Sequence, residues 1–168
     1  MVLDRYRAVA DRLLTPVAVR LVHVNPDTIS WMGLVAAAGA GISFALGGPG
    51  FLVLALFLLL ANASLDALDG KVAKLAGKAS ARGDFLDHVL DRYADVFLIG
   101  GVAFSAYCQL PVGTLALLGV LLTSYMGTQA QAVGQGRRYA GLLGRADRLV
   151  LLFLGGLIQL LLSPNATV

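Results

Sequence analysis

Residues 51–91 read FLVLALFLLLANASLDALDGKVAKLAGKASARGDFLDHVLD. The first fifteen of them, up to Leu65, carry no charge and are almost all apolar, whereas the next 26 contain nine charged side chains. No helix breaker separates the two parts before Gly70. The pattern predicts a membrane-crossing helix that continues beyond the hydrocarbon as a polar helix. A second helix is expected to start near Gly83 or Asp84 and to return into the membrane.

The composition of the whole chain agrees with a membrane protein. Of 168 residues, 58% are hydrophobic and 14% are charged, and the mean hydropathy is +0.79, whereas a soluble domain carries roughly 25% charged residues. These values exclude a soluble globular domain and a disordered chain. The single cysteine, Cys108, excludes a disulfide scaffold and a cysteine-rich zinc site. A metal, if bound, must therefore be held by oxygen or histidine ligands.

Five apolar spans can be counted. We expect an all-α polytopic transmembrane bundle whose spans cover Ile29–Leu46, 51–65, the part of the third helix after Val96 as far as Gln109, Val112–Val133 and Leu149–Leu162. Residues 134–144 form a basic, glycine-rich connection. Length and composition suit one transmembrane domain, residues 25–168.

Residues 1–24 precede this domain and have a different pattern. Apolar residues recur every three or four positions, with charged residues on the other faces. The spacing predicts an amphipathic helix lying in the membrane interface, bent near Pro16. A signal peptide is the alternative, but no uninterrupted apolar region follows the basic residues before His23.

The basic residues predict the orientation. All 13 lie before the first span, between spans two and three, or between spans four and five, and the turns at 47–50 and 109–111 contain none. Because basic residues are retained on the cytoplasmic side, we expect a multi-pass protein of the cell membrane with a cytoplasmic N-terminus and a site facing the cytoplasm.

Four aspartates form the strongest functional signal. Asp66 and Asp69 are three residues apart and share one helix face, and Asp87 and Asp91 are four apart and share another. Two adjacent antiparallel helices can direct all four carboxylates to one place, where their repulsion requires a cation. An all-oxygen cluster suits Mg²⁺, Mn²⁺ or Ca²⁺. Taken singly, each aspartate is more often a helix cap or a solvated charge than a ligand.

These residues resemble the signature of the CDP-alcohol phosphotransferase family, D-x-x-D-G-x-x-A-R, eight residues, G-x-x-x-D-x-x-x-D. The chain has Asp66, Asp69, Gly70, Ala73, Lys74, Gly83, Asp87 and Asp91 at these positions, so the one departure is lysine in place of arginine. Lysine keeps the charge but cannot form a two-pronged bond. The resemblance extends from about Asn25 to Leu162 and includes the segment Asn25-Pro26-x-Thr28. Residues 85–95 and 129–134 are most similar to archaeal enzymes that attach inositol phosphate to a CDP-activated lipid.

The resemblance implies an activity and a set of roles. An alcohol hydroxyl attacks the lipid-linked phosphorus of a CDP-lipid, either CDP-diacylglycerol or CDP-archaeol, and CMP leaves. Two Mg²⁺ or Mn²⁺ ions are implied, with Asp66, Asp69, Asp87 and Asp91 as ligands and Asp91 as the general base. The expected CDP-binding residues are Asp69, Gly70, Ala73, Lys74, Ser80 and Gly83. The family usually has six spans, so with five counted here we expect either that this sequence stops before a sixth helix or that the sixth helix has been lost.

The acceptor is expected to be a polar alcohol phosphate. From the resemblance, inositol phosphate is preferred and glycerol 3-phosphate is the alternative. Either acceptor needs a second cationic pocket, whereas a free amino alcohol or serine needs fewer cationic contacts. Arg145, Arg148 and Arg138 are the candidate phosphate contacts, although they could also be positive-inside anchors or a patch for anionic lipid.

The remaining partners and rival functions follow. The resemblance implies a homodimer surrounded by membrane lipids, and nothing in the sequence points to nucleic acid. A divalent-cation transporter is the rival from another functional class, but it predicts acidic residues throughout the membrane depth. Here they lie toward one border of the membrane.

Overall fold

A computed structural model describes residues 7–134 and 144–162, with side chains from residue 14 onward. Over these ranges the chain is helical and contains no strand, which confirms the predicted all-α class. Six helices are described: α1 (Arg7–Arg20), α2 (Pro26–Leu46), α3 (Pro49–Leu75), α4 (Ala81–Ala103), α5 (Leu110–Ala132) and α6 (Arg145–Leu162).

Helices stand at all five positions predicted for membrane spans. By length and composition alone, three helices of the described chain could cross a membrane: α2, α3 and α5. The first turns of α4 and α6 carry charges that lower their average hydropathy, yet their later turns are apolar. The protein is therefore a membrane protein.

The observed starts of α2 and α4 and the end of α4 can be compared with the boundaries that the sequence predicts. Asn25 caps α2, accepting a hydrogen bond from the Asp27 amide, as its residue type predicts. The cap of α4 is Ser80, so Asp84 lies within the first turn and the helix begins before the predicted Gly83. The helix also ends at Ala103 instead of Gln109, since residues 104–109 form the turn into α5.

Two glycines make the tight turn between α2 and α3. Gly47 and Gly48 have φ angles of +69° and +82°, a backbone conformation that side chains with a Cβ rarely adopt. The Gly48 amide donates a 2.7 Å hydrogen bond to the Tyr107 hydroxyl, which ties this turn to the neighbouring turn between α4 and α5. Both turns therefore lie at the end of the bundle opposite the four aspartates.

The core lies where α2 packs between α3 and α4. Phe44, Leu52, Leu59 and Leu98 are almost completely buried there. α2 and α4 also touch through their backbones, because a Cβ built on Gly101 would lie 2.2 Å from the carbonyl oxygen of Gly41. Small residues permit such close approach between membrane helices. This contact fixes α4 against α2 and so fixes the direction in which its aspartates point.

The N-terminal helix α1 packs against the extension of α3 beyond the apolar run. Ala18 is completely buried and lies in a cluster with Ile29, Leu68 and Val72. The helix continues through Pro16 as far as Arg20. That α1 lies in the membrane interface stays a prediction.

Candidate metal and nucleotide site

The four aspartates come together on two antiparallel helices. α3 provides Asp66 and Asp69, α4 provides Asp87 and Asp91, and all four line one small cavity between α2, α3 and α4. Oxygens of Asp66, Asp69 and Asp87 lie within 4.8 Å of one another, close enough to hold one ion together. Asp91 lies on the same wall but outside this group of three.

The donor set of this cluster fits a hard divalent cation. Asp69 is only 5% exposed and adjoins two further carboxylates, an arrangement whose mutual repulsion a cation relieves. Every candidate ligand is a carboxylate oxygen, the donor that Mg²⁺ and Mn²⁺ prefer and that zinc and copper prefer less.

Asp69 is held in place by two hydrogen bonds. The Ser30 hydroxyl of α2 donates to its Oδ2 at 2.6 Å, and the Gly70 amide donates to its Oδ1 at 2.5 Å. Short bonds to an ionised oxygen are stronger than neutral ones. The orientation of this carboxylate is therefore set before any ligand binds.

Arginines border the cluster on the side of α6. The Arg145 guanidinium contacts the carboxylates of both Asp66 and Asp91, and it is 16% exposed. It partly offsets the negative charge of the cluster and links α6 to α3 and α4. Sequence reasoning grouped Arg145 with the acceptor pocket, and the structure places its guanidinium against Asp66 and Asp91, the predicted metal ligand and general base.

A second group of charges lies one turn deeper along α4. Asp95 is 3% exposed and pairs with Arg148 at 2.9 Å and with Arg92 at 3.3 Å. Arg92 also donates to the hydroxyl of Ser124 on α5. This network connects α4, α5 and α6 directly behind the aspartate cluster.

A larger cavity opens beside the cluster, with a volume of about 310 Å³. Its walls come from the start of α2, the end of α3 and the start of α4. The residues predicted to bind CDP all line it: Asp69, Gly70, Ala73, Lys74, Ser80 and Gly83. Ser30, Asp69 and Asp87 line both this cavity and the small one.

Not every predicted residue can be placed. Arg138 lies outside the described residues, and Arg148 faces Asp95. Sequence reasoning also missed Ser30 and Asn62, which line the small cavity. Asn62 had a usable signal, because a lone amide in an apolar run stands four residues before Asp66, on the same helix face. The signal for Ser30 was weaker and consisted of its position close in sequence to the Asn25-Pro26 segment.

Comparisons with known proteins agree with this geometry. Residues 23–167 match the family described as CDP-alcohol phosphatidyltransferase. Archaetidylinositol phosphate synthase of Methanothermobacter thermautotrophicus is 33% identical over 96% of this chain and 80% of its own length. Phosphatidylinositol phosphate synthase of Cutibacterium acnes is 32% identical over 88% of this chain and 74% of its own.

A solved structure is similar as well. It is the crystal structure of phosphatidylinositol phosphate synthase of Mycobacterium tuberculosis with CDP-DAG bound. It superposes with a TM-score of 0.73 and 25% sequence identity, covering 86% of this chain and 75% of that one.

Proposed function

The chain belongs to the CDP-alcohol phosphatidyltransferase family, and we propose that it transfers the lipid phosphate group of a CDP-lipid to a hydroxyl of inositol phosphate, releasing CMP. It is a membrane enzyme of a family that depends on divalent metal ions. The names of two relatives, archaetidylinositol phosphate synthase and phosphatidylinositol phosphate synthase, support the choice of acceptor.

One observation carries the proposal. Asp69 and Asp87 are shared by the cavity that suits a cation and the cavity that suits a nucleotide. A ligand diphosphate in the larger cavity would therefore lie beside an ion held by these carboxylates. This juxtaposition is what transfer of a group from a diphosphate requires.

We assign the metal centre to Asp66, Asp69 and Asp87, with Asp91 as a further ligand, and we propose that it holds two Mg²⁺ or Mn²⁺ ions. When bound, such ions neutralise the diphosphate and the charge that develops on the leaving CMP. The chain itself supplies fixed carboxylates, because Ser30 and the Gly70 amide orient Asp69.

The larger cavity is assigned to the CDP group of CDP-diacylglycerol or CDP-archaeol. Gly70 and Ala73 present little side chain, so a nucleotide can approach α3 closely. Ser80 and Gly83 lie at the N-terminus of α4, where the Gly83 amide donates to the Ser80 hydroxyl oxygen and the helix dipole attracts phosphate. Lys74 adds a positive charge to the same wall.

Asp91 is assigned as the general base. The acceptor hydroxyl oxygen forms a bond to the lipid-linked phosphorus, the bond from that phosphorus to the CMP oxygen breaks, and the hydroxyl proton passes to the Asp91 carboxylate. Arg145 contacts this carboxylate and keeps it directed into the cavity.

Arg145 and Arg148 are proposed to bind the phosphate of the acceptor, with Arg138 as a third contact. Guanidinium groups match phosphate oxygens in geometry. Because Arg145 contacts Asp91, a phosphate held by Arg145 brings the rest of the acceptor close to the base.

Two features of the molecule as a whole complete the proposal. The site and the N-terminus face the cytoplasm, in keeping with the distribution of basic residues. The enzyme works as a homodimer, which chemical cross-linking in native membranes tests.

The experiment that tests this function measures CMP release by the purified protein with a CDP-lipid and Mg²⁺. Inositol phosphate, glycerol 3-phosphate, inositol and serine are compared as acceptors. We expect release that depends on inositol phosphate and that falls at least about 100-fold in Asp91→Asn, a typical loss for removal of a general base. Release that depends on glycerol 3-phosphate instead would show that glycerol 3-phosphate, and not inositol phosphate, is the acceptor.

The control is Thr123→Val, which removes an exposed hydroxyl of α5 that bonds to the Gly119 carbonyl in its own helix and lines neither cavity. Full activity in Asp91→Asn would overturn the assigned mechanism. The transporter alternative is not favoured, because the described aspartates lie at one end of the bundle, and a cation-flux measurement in vesicles is expected to show no transport.

A further inference from the structure

Asn62 is buried beneath the four aspartates, and its side-chain oxygen has no hydrogen-bond donor among the described residues. The side chain is 1% exposed and lines the small cavity together with the carboxylates. Its Nδ2 donates a 2.9 Å hydrogen bond to the carbonyl oxygen of Gly33 on α2. Its Oδ1 is buried and accepts no hydrogen bond from the part of the chain that the structure describes.

The bond to Gly33 fixes which way the amide points. A backbone carbonyl can only accept a hydrogen bond, so the nitrogen of Asn62 must face Gly33 and the oxygen must face elsewhere. A buried carbonyl oxygen that lacks a donor is costly, and such groups usually have a water or ligand partner.

The cavity has room for such a partner. Its volume is about 10 Å³, close to the minimum that one water molecule needs. Its polar lining residues are Ser30, Asn62, Arg145 and the four aspartates of α3 and α4. Mg²⁺ and Mn²⁺ retain water ligands when proteins bind them, and groups that hold those ligands tune affinity.

We propose that Asn62 is a positioning residue of the metal centre, whose Oδ1 accepts a hydrogen bond from a water molecule that is itself a ligand of the divalent ion. Asn62 lies four residues before Asp66, so both side chains leave the same face of α3. This inference rests on the metal centre assigned above.

The test is Mn²⁺ binding to the full chain in detergent, without nucleotide, followed by the electron paramagnetic resonance of free Mn²⁺. In Asn62→Leu, which has a similar volume and no oxygen, we expect the dissociation constant for Mn²⁺ to rise about tenfold. The midpoint of thermal unfolding without metal should remain equal or rise, because an unpartnered oxygen has been removed. An unchanged dissociation constant overturns the proposal.

A second variant distinguishes the proposed role of the Asn62 Oδ1 from that of the hydrogen bond that Nδ2 donates to Gly33. Asn62→Asp keeps an oxygen and loses the donor to Gly33, so we expect it to bind Mn²⁺ at least as tightly as the unmodified protein. Loss of affinity comparable with that of Asn62→Leu would show that the bond to Gly33 matters instead, and this would also overturn the proposal.

Controls distinguish this inference from the metal centre on which it depends. Ser43→Ala removes another buried polar side chain of the bundle, which bonds only to its own helix, and it should leave Mn²⁺ binding unchanged. If the unmodified protein fails to bind Mn²⁺, or if Asp66→Asn binds it equally well, the metal centre itself is wrong. Tight binding by the unmodified protein and by Asn62→Leu alike would refute only the role of Asn62.

Discussion

Ser30 holds the carboxylate of Asp69 from a different helix. We expect Ser30→Ala to lower the rate of CMP release about tenfold, because Asp69 loses a charge-assisted hydrogen bond that orients a metal ligand. Ser30→Thr should restore most of the rate, since it keeps the hydroxyl. The measurement is initial rate against Mg²⁺ concentration.

Ser64→Ala is the matched control for this prediction. The Ser64 hydroxyl is exposed and bonds only to the carbonyl of Leu60 in its own helix. An equal loss of activity in the two alanine variants would contradict a specific role for Ser30.

Asp95 is a buried residue that serves stability more than chemistry. Asp95→Asn removes the carboxylate that Arg92 and Arg148 share, and Arg92 keeps its 3.8 Å contact with Asp91. Because removing one partner strands buried charge, we expect the free energy of unfolding to fall by about 3 kcal/mol. Thermal unfolding in detergent, followed by circular dichroism, provides the check.

Asp84→Asn changes an exposed carboxylate on the same helix and should shift stability by less than about 0.5 kcal/mol. If the two asparagine variants unfold at the same temperature, the network behind the site contributes nothing to stability.

At the scale of helices, α2 and α4 depend on a contact that tolerates no side chain. A Cβ on Gly101 would lie 2.2 Å from the carbonyl oxygen of Gly41, so Gly101→Ala must force the helices apart. We expect it to reduce stability by roughly 1–3 kcal/mol, the usual cost of overpacking, and to reduce activity as well, because the aspartates of α4 shift.

The neighbouring residue provides the control. A Cβ on Gly100 would meet nothing within 4 Å, and alanine favours a helix by about 1 kcal/mol over glycine. Gly100→Ala should therefore be neutral or stabilising in the same unfolding experiment. A loss of stability equal to that of Gly101→Ala would mean that helix propensity or lipid contact, and not the crossing with α2, is responsible.

At the scale of the whole molecule, labelling of the single cysteine tests the orientation of the protein in the membrane. Cys108 lies in the turn between α4 and α5, at the end of the bundle opposite the site. We expect a membrane-impermeant maleimide to label Cys108 in intact cells. In a Cys108→Ser, Ala79→Cys variant, whose cysteine lies between α3 and α4, labelling should require permeabilised cells. The reverse pattern would place the site outside the cytoplasm.

Much of this architecture could be predicted, because local patterns in the amino-acid sequence determine it. The apolar runs predicted five helices, and the spacing of Asp66, Asp69, Asp87 and Asp91 predicted that two helices would share one site. The end of α4 was predicted incorrectly, because residues 104–109 contain neither glycine nor proline to mark a turn. The contact between Arg145 and Asp66 was not predicted, because it spans 79 positions of the chain and residue spacing carries no information over that separation.

The backbone contact between Gly41 and Gly101 is also the point about which α2 and α4 would tilt relative to each other. Ser30 lies eleven residues from it along α2 and Asp87 fourteen along α4, which at 1.5 Å per residue are arms of about 16 and 21 Å. With the crossing point fixed, a tilt of about 5° between these helices moves the ends that carry Ser30 and Asp87 by between 1 and 2 Å, roughly the difference between a coordinated and a released ion. The opposite ends of the two helices must then move in the opposite direction. A disturbance at the turns at those ends, where Tyr107 joins the two loops, is therefore expected to displace Ser30 and Asp87 relative to each other.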